Sequence, residues 1–294
     1  MLPTKPVRPG DLLAIVAPSG PYPEERYAKG LAVLRERGFR VKELLPPRPW
    51  RYLAAEDRER SAALSEAFAD PEVRAIFAAR GGYGAMRLLP SIDWAAAARS
   101  GKAFVGFSDA TAIHLTLQDR GARSVHGPVI TQLGEQPQEA VDRLFALLGS
   151  DGAPPPIAGR TVVPGTARGR LVGGCLSLVS RLVGTPYFPS LAGCILLLED
   201  VGERPYRLDR MWTHLSLTGV LDELAGVAIG DLTSCDEPGA GFTAAQVLEE
   251  LAASSGKPVI SGLPIGHGDV NLAVPLGAMA EIRDGSLRFE EGLL

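Results

Sequence analysis

The sequence predicts an α/β protein: a parallel sheet covered by helices on both faces, followed by a second, β-rich α/β domain. Three observations carry that prediction. Short continuous apolar runs recur between turn signals, as buried strands of a parallel sheet do. Segments with apolar residues at helical spacing alternate with these runs. In the second half there are more strands per residue and turn residues crowd towards the end.

Residues 12–17, between RPGD and PSGP, make the first strand. Residues 23–38 follow as a helix, with Tyr27, Leu31 and Leu34 at helical spacing and Gly38 as its stop. The second strand covers 39–45, the next helix 56–69, and the third strand 75–79, ending in Arg80-Gly81-Gly82-Tyr83-Gly84. A fourth strand at 103–105 runs through Gly106-Phe107-Ser108 into a helix opened by Asp109. A short strand at 124–125 leads into His126-Gly127-Pro128, and 139–148 is helical.

Proline and glycine over 150–165 are spaced so that neither helix nor regular sheet persists. The expected division is therefore a first domain at 1–150, a linker at 151–165 and a second domain at 166–294. The second domain carries strands at 168–172, 194–198, 224–229, 259–261 and 278–282. Its helices run from Gly173-Gly174 to about 183, over 205–217 and over 243–253. Leu208, Met211, Trp212 and Leu215 form a core stripe on the middle one, and helical spacing assigns Tyr206 to packing as well.

A chain of 294 residues buries a sizeable core without disulfides or metal. With a net charge of −4 and scattered lysines and arginines, neither nucleic acid nor a membrane surface is expected as a partner. Cys175, Cys194 and Cys235 are odd in number and far apart, with no CxxC and no Cys/His cluster, so no disulfide framework, metal or cofactor is expected. The first twenty residues lack a secretory pattern, and no apolar stretch reaches the length of about eighteen needed to span a bilayer. A soluble, cytoplasmic protein is the expectation.

RGGYG and GFSDA both follow strands of one parallel sheet and should open on the same edge. Ser108 sits on the strand-to-helix turn with its hydroxyl pushed out of the backbone, where the free amides of the next turn point back at it. RGGYG lacks the spacing of a nucleotide-phosphate loop, but its glycines let a second amide approach a reacting carbonyl. A serine nucleophile needs a base, and there are four histidines. His114 lies six positions along the helix, about 600° round, facing away from Ser108. His214 falls in an amphipathic helix. His126 is possible, and His267 is favoured because its loop, Pro264-Ile265-Gly266-His267-Gly268-Asp269, frees the imidazole to face a cleft. Glu199, closing the run ILLLE, fits as the acceptor that orients the base; Asp200, Glu203 and Asp269 compete with it.

Five blocks then carry a resemblance: RGGYG at 80–84, KAFVGFSDAT at 102–111, HGP at 126–128, LLLEDVGERPYRLDRMWTHL at 196–215 and PIGHGDVNLAVPLG at 264–277. In this order, spanning nearly the whole chain, they resemble the LD-carboxypeptidase family, serine peptidases that include muropeptide-recycling enzymes and microcin C7 self-immunity proteins. The resemblance implies a Rossmann-like N-terminal domain and a smaller β-rich C-terminal domain with the site between them. It further implies a triad of Ser108, His267 and Glu199, an oxyanion hole of the Gly82 and Asp109 amides, and a homodimer. The expected reaction is metal-independent hydrolysis of an L,D peptide bond in a muropeptide, with Arg80 and Gly81 as candidate substrate-binding residues and Arg80 for the departing carboxylate. A peptidyl or aminoacyl adenylate is the alternative substrate, and a catalytically silent small-ligand-binding protein the alternative of another class. The chain departs from the family at Gly173-Gly174-Cys175, where Gly-Gly-Asn is usual; Cys175 is expected to be a small buried residue.

Overall fold

In β1 (Leu12–Val16), Leu13 and Ile15 face one side and Ala14 and Val16 the other, because successive side chains of a strand alternate. All four are buried, so both faces of the sheet are covered. The computed structural model, which describes residues 4–150 and 152–293, shows how. The chain continues through α1 (Glu24–Glu36), β2 (Arg40–Leu44), α2 (Asp57–Ala69), β3 (Val73–Ala78), α3 (Trp94–Arg99), β4 (Ala103–Gly106), α4 (Thr111–Asp119), β5 (Ser124–His126), α5 (Ile130–Leu133) and α6 (Gln138–Gly149). Its strands pair in parallel in the order β2-β1-β3-β4-β5. Tyr27, Leu31 and Leu34 of α1 join α5 and α6 on the Leu13/Ile15 face. Leu64 and Phe68 of α2, Trp94 of α3 and Ile113 of α4 cover the Ala14/Val16 face.

The second half comprises β6 (Ile157–Ala158), β7 (Arg160–Val163), β8 (Ala167–Cys175), α7 (Leu176–Leu182), β9 (Ile195–Val201), α8 (Pro205–Leu217), β10 (Gly226–Thr233), α9 (Ala244–Ala253), β11 (Val259–Ser261), β12 (Val274–Leu276), β13 (Met279–Arg283) and β14 (Ser286–Phe289). Eight of these strands form one sheet, ordered β6-β14-β13-β8-β9-β10-β11-β7. Its two edge strands, β6 and β7, are separated in sequence only by Gly159, so the sheet has to curl until its edges almost meet. Ile195 and Leu197 point into the resulting barrel-like interior with Ile260, Leu276 and Leu287. Leu196 and Leu198 point outward to α7 and α8, and that outer apolar layer is continuous with the one under α2 and α4.

Four expectations need correction. The 150–165 segment is not irregular throughout, because β7 pairs with β11 and β6 with β14, partners about a hundred residues away that no local pattern reveals. Strand β12 was not foreseen either; it leaves the second half and pairs antiparallel with β5, Val274 opposite His126, so a cut at 150 severs the first sheet from its edge. The helix expected from Asp109 begins at Thr111, after a 3-10 turn at Ser108–Ala110. Tyr206 is 55 % exposed rather than packed, with the Arg210 guanidinium 5.3 Å from its ring, because it lies about 200° round α8 from Leu208. Trp212 is buried as expected.

Candidate active site

After β4, Phe107 is fully extended and Ser108 adopts φ +62°, a left-handed conformation that costs an L residue about 1 kcal/mol. The turn is tight enough that a Cβ on Gly106 would lie 2.9 Å from that of Ala110. RGGYG lies directly over it: a Cβ on Gly81 would come 2.9 Å from the Ser108 Cβ and 3.0 Å from Oγ. The two loops are tied together by Asp109, whose buried carboxylate accepts the Ala85 N–H at 2.7 Å and is pushed above the usual carboxylate range by burial. The Gly20 amide donates to the Gly81 carbonyl at 3.1 Å and holds the loop from its other side. Gly82 has φ +108°, and its amide makes no hydrogen bond to any described residue.

From the second half, β9 delivers Glu199 fully buried, and its Oε2 lies 2.6 Å from Nδ1 of His267. Only glycine lets the histidine loop pass so close: Gly266 has φ +125°, and a Cβ there would sit 2.6 Å from that same Oε2. With Nδ1 donating to a carboxylate, Nε2 is left as the basic nitrogen. Burial favours the neutral imidazole, but Glu199, with Asp200 and Asp231 behind it, outweighs burial and holds the His267 pKa above the ordinary histidine value. The ring packs against Phe107, 4.7 Å between centroids.

Ser108 and His267 line one cleft of about 390 Å³ together with Arg80, Gly81, Gly82 and Gln132. No direct hydrogen bond joins the hydroxyl to the imidazole among the described residues, a contact that commonly tightens only when substrate binds. Arg80 donates to the Pro21 carbonyl at 2.5 Å and has no carboxylate partner among the described residues. The other histidines are elsewhere. His114 is buried between Ser124 Oγ at 2.8 Å and the Gly106 carbonyl at 2.9 Å. His126 is fully buried behind Phe107, neither ring nitrogen has a hydrogen-bond partner among the described residues, and burial drives it well towards the neutral form. His214 is exposed on α8.

The competitors of Glu199 are also accounted for. Asp200 accepts the Ser177 amide at 2.8 Å at the start of α7, Glu203 pairs with Arg207 at 3.3 Å, and Asp269 is exposed. Cys175 is buried, with Sγ 3.1 Å from Ser177 Oγ, and its own amide donates to Thr111 Oγ1 at 3.0 Å. Among the described residues no three ligating side chains cluster as a metal site. Sequence reasoning missed Gln132 and Asn271: neither residue type marks itself, and their meeting depends on β12 returning to β5.

Residues 13–127 match the LD-carboxypeptidase N-terminal domain model and 168–282 the LD-carboxypeptidase C-terminal domain model. The chain belongs to the LD-carboxypeptidase family. It is thus a serine peptidase by membership, and similar proteins agree. A Synechocystis protein named as a carboxypeptidase is 40 % identical over 94 % of this LD-carboxypeptidase and 93 % of its own length. The crystal structure of muramoyltetrapeptide carboxypeptidase from Oxalobacter formigenes superposes with a TM-score of 0.86 at 32 % identity, covering 96 % of this chain and 98 % of that one. MccF in complex with glutamyl sulfamoyl guanosine superposes with a TM-score of 0.90 over 100 % of both chains at 23 % identity, a likeness of fold.

Proposed function

We propose that this LD-carboxypeptidase hydrolyses the L,D peptide bond at the end of a muropeptide stem through a triad of Ser108, His267 and Glu199. The observation that carries the reading is the half-buried His267, held by the buried Glu199, in the same cleft as a serine at positive φ. His267 Nε2 takes the Ser108 proton as Oγ attacks the scissile carbonyl, and Glu199 stabilises the imidazolium that forms. The amides of Gly82 and Asp109 receive the tetrahedral oxyanion. His267 then protonates the departing D-amino acid, and water, deprotonated by the same imidazole, releases the acyl group.

The muropeptide assignment draws on the Oxalobacter relative, whose name specifies a muramoyltetrapeptide. The reading includes a cytoplasmic enzyme engaged in peptidoglycan recycling, supported by three free, buried cysteines, and a homodimer, the assembly the family resemblance implies. Incubation with a tetrapeptide stem should release D-alanine, detected by mass, while an aminoacyl sulfamate offered in parallel should stay intact. Cleavage of the sulfamate alone would transfer the site to the adenylate reading. Absence of fluorophosphonate labelling at Ser108 would favour a silent binding protein. Sedimentation velocity tests the dimer, and cell fractionation the compartment.

A further inference from the structure

Behind the cleft a chain of amides runs from the histidine loop to α5, and its polarity follows from one fixed donor. The Gly266 backbone N–H can only donate, and it donates to Asn271 Oδ1 at 3.0 Å. Asn271 must therefore present Nδ2 on its other side, where it meets Gln132 Oε1 at 3.0 Å. Asn271 is fully buried, and its backbone N–H donates to Gln136 Oε1 at 2.7 Å, so both its main chain and its side chain are tied to α5 and the turn after it. Gln132 consequently spends its oxygen on Asn271, and its NH2 group, on a residue that lines the cleft, has no described partner.

The described lining of that cleft includes no acidic side chain and two arginines. Arg26 is already engaged by Glu135 through two hydrogen bonds, one of them at 2.9 Å. Among the described residues Arg80 is hydrogen-bonded to a carbonyl, that of Pro21, and to no carboxylate. A cation with no counter-charge among the described residues and an amide NH2 with no described acceptor line the same cleft as Ser108. We propose that Gln132 Nε2 and Arg80 together form the subsite for the free α-carboxylate of the departing residue, with Asn271 as the positioning residue that fixes the glutamine. The inference rests on the hydrolase reading above and names the group by which that reaction selects a chain terminus.

The test separates binding from turnover. In a Ser108→Ala background, calorimetric titration with a tetrapeptide stem and with its C-terminal amide should show tighter binding of the free acid. Gln132→Glu keeps the shape and the oxygen facing Asn271 but replaces the donor with an acceptor. It should weaken binding of the acid about tenfold or more and that of the amide much less. Gln132→Met, which removes both interactions, should also lose the preference. An acid-to-amide ratio unchanged in Gln132→Glu would overturn the subsite, as would failure of the parent protein to prefer the acid. Gln132-dependent binding without D-alanine release by the wild-type enzyme would leave the subsite standing and overturn the hydrolase reading.

Discussion

At the scale of single residues, the structure separates a serine shaped by its turn from a histidine shaped by its neighbours. Ser108→Ala should lower kcat by about 10⁴-fold or more while the thermal midpoint stays put, measured by D-alanine release and calorimetry. In the proposed triad His267 acts as a base only when neutral, and its pKa is raised, so activity should be absent at low pH and rise through a limb centred above pH 6.5. Glu199→Gln removes the largest influence that raises it and leaves burial, which favours the neutral ring. The acid limb should then move to lower pH, while kcat falls by up to about 10⁴-fold because the imidazolium loses its counter-charge; a pH–rate profile reads both. The loops of Ser108 and His267 were legible because glycine stands near each, Gly106 two residues before the serine and Gly266 and Gly268 on either side of the histidine, in turns that strands feed. Choosing Glu199 over Asp200 from sequence was harder: both end the same strand, and only the pleat decides that one meets the imidazole and the other caps α7.

At the scale of elements, one close contact sets the layers that carry the site. A Cβ at Gly30 of α1 would lie 1.9 Å from the Ile130 carbonyl oxygen of α5, the helix that presents Gln132. Gly30→Ala should therefore destabilise the protein by about 3 kcal/mol or more, despite alanine's better helix propensity, and chemical denaturation should show it. On α9, Thr243 and Gln246 form a reciprocal cap far from the cleft. Thr243→Ala should cost about 1 kcal/mol in the same assay and leave kcat/KM unchanged. Long apolar strands such as β9 were evident from composition because they are buried on both faces. Strands β6, β7 and β12 were not, since two to four residues beside prolines become strand only when a distant edge offers hydrogen bonds.

For the whole molecule, one apolar layer passes from α2 and α4 to α7, α8 and α9 without interruption. Two polar ties reinforce it: Gln118 Nε2 donates to the Leu171 carbonyl at 3.0 Å, and Thr111 Oγ1 accepts the Cys175 amide. Unfolding in urea should be a single transition, with circular dichroism and tryptophan fluorescence coincident; separate transitions for the two halves would contradict that coupling. The general plan of a parallel sheet followed by a β-rich half was legible in the alternation of runs. Where one half stops was not, because proline-rich composition at 150–165 marks a change of direction in the chain and carries no information about which strand later fills which edge.

The return of β12 to β5 also has a temporal consequence. On a translating ribosome the serine turn emerges early, but the about 150 residues separating these two neighbours take on the order of ten seconds to synthesise. Throughout that interval the nascent sheet has an open flank and the oxygen nucleophile has no imidazole to activate it. On the proposed triad, a peptidase assembled in this order stays inert until the segment that carries His267 has been made.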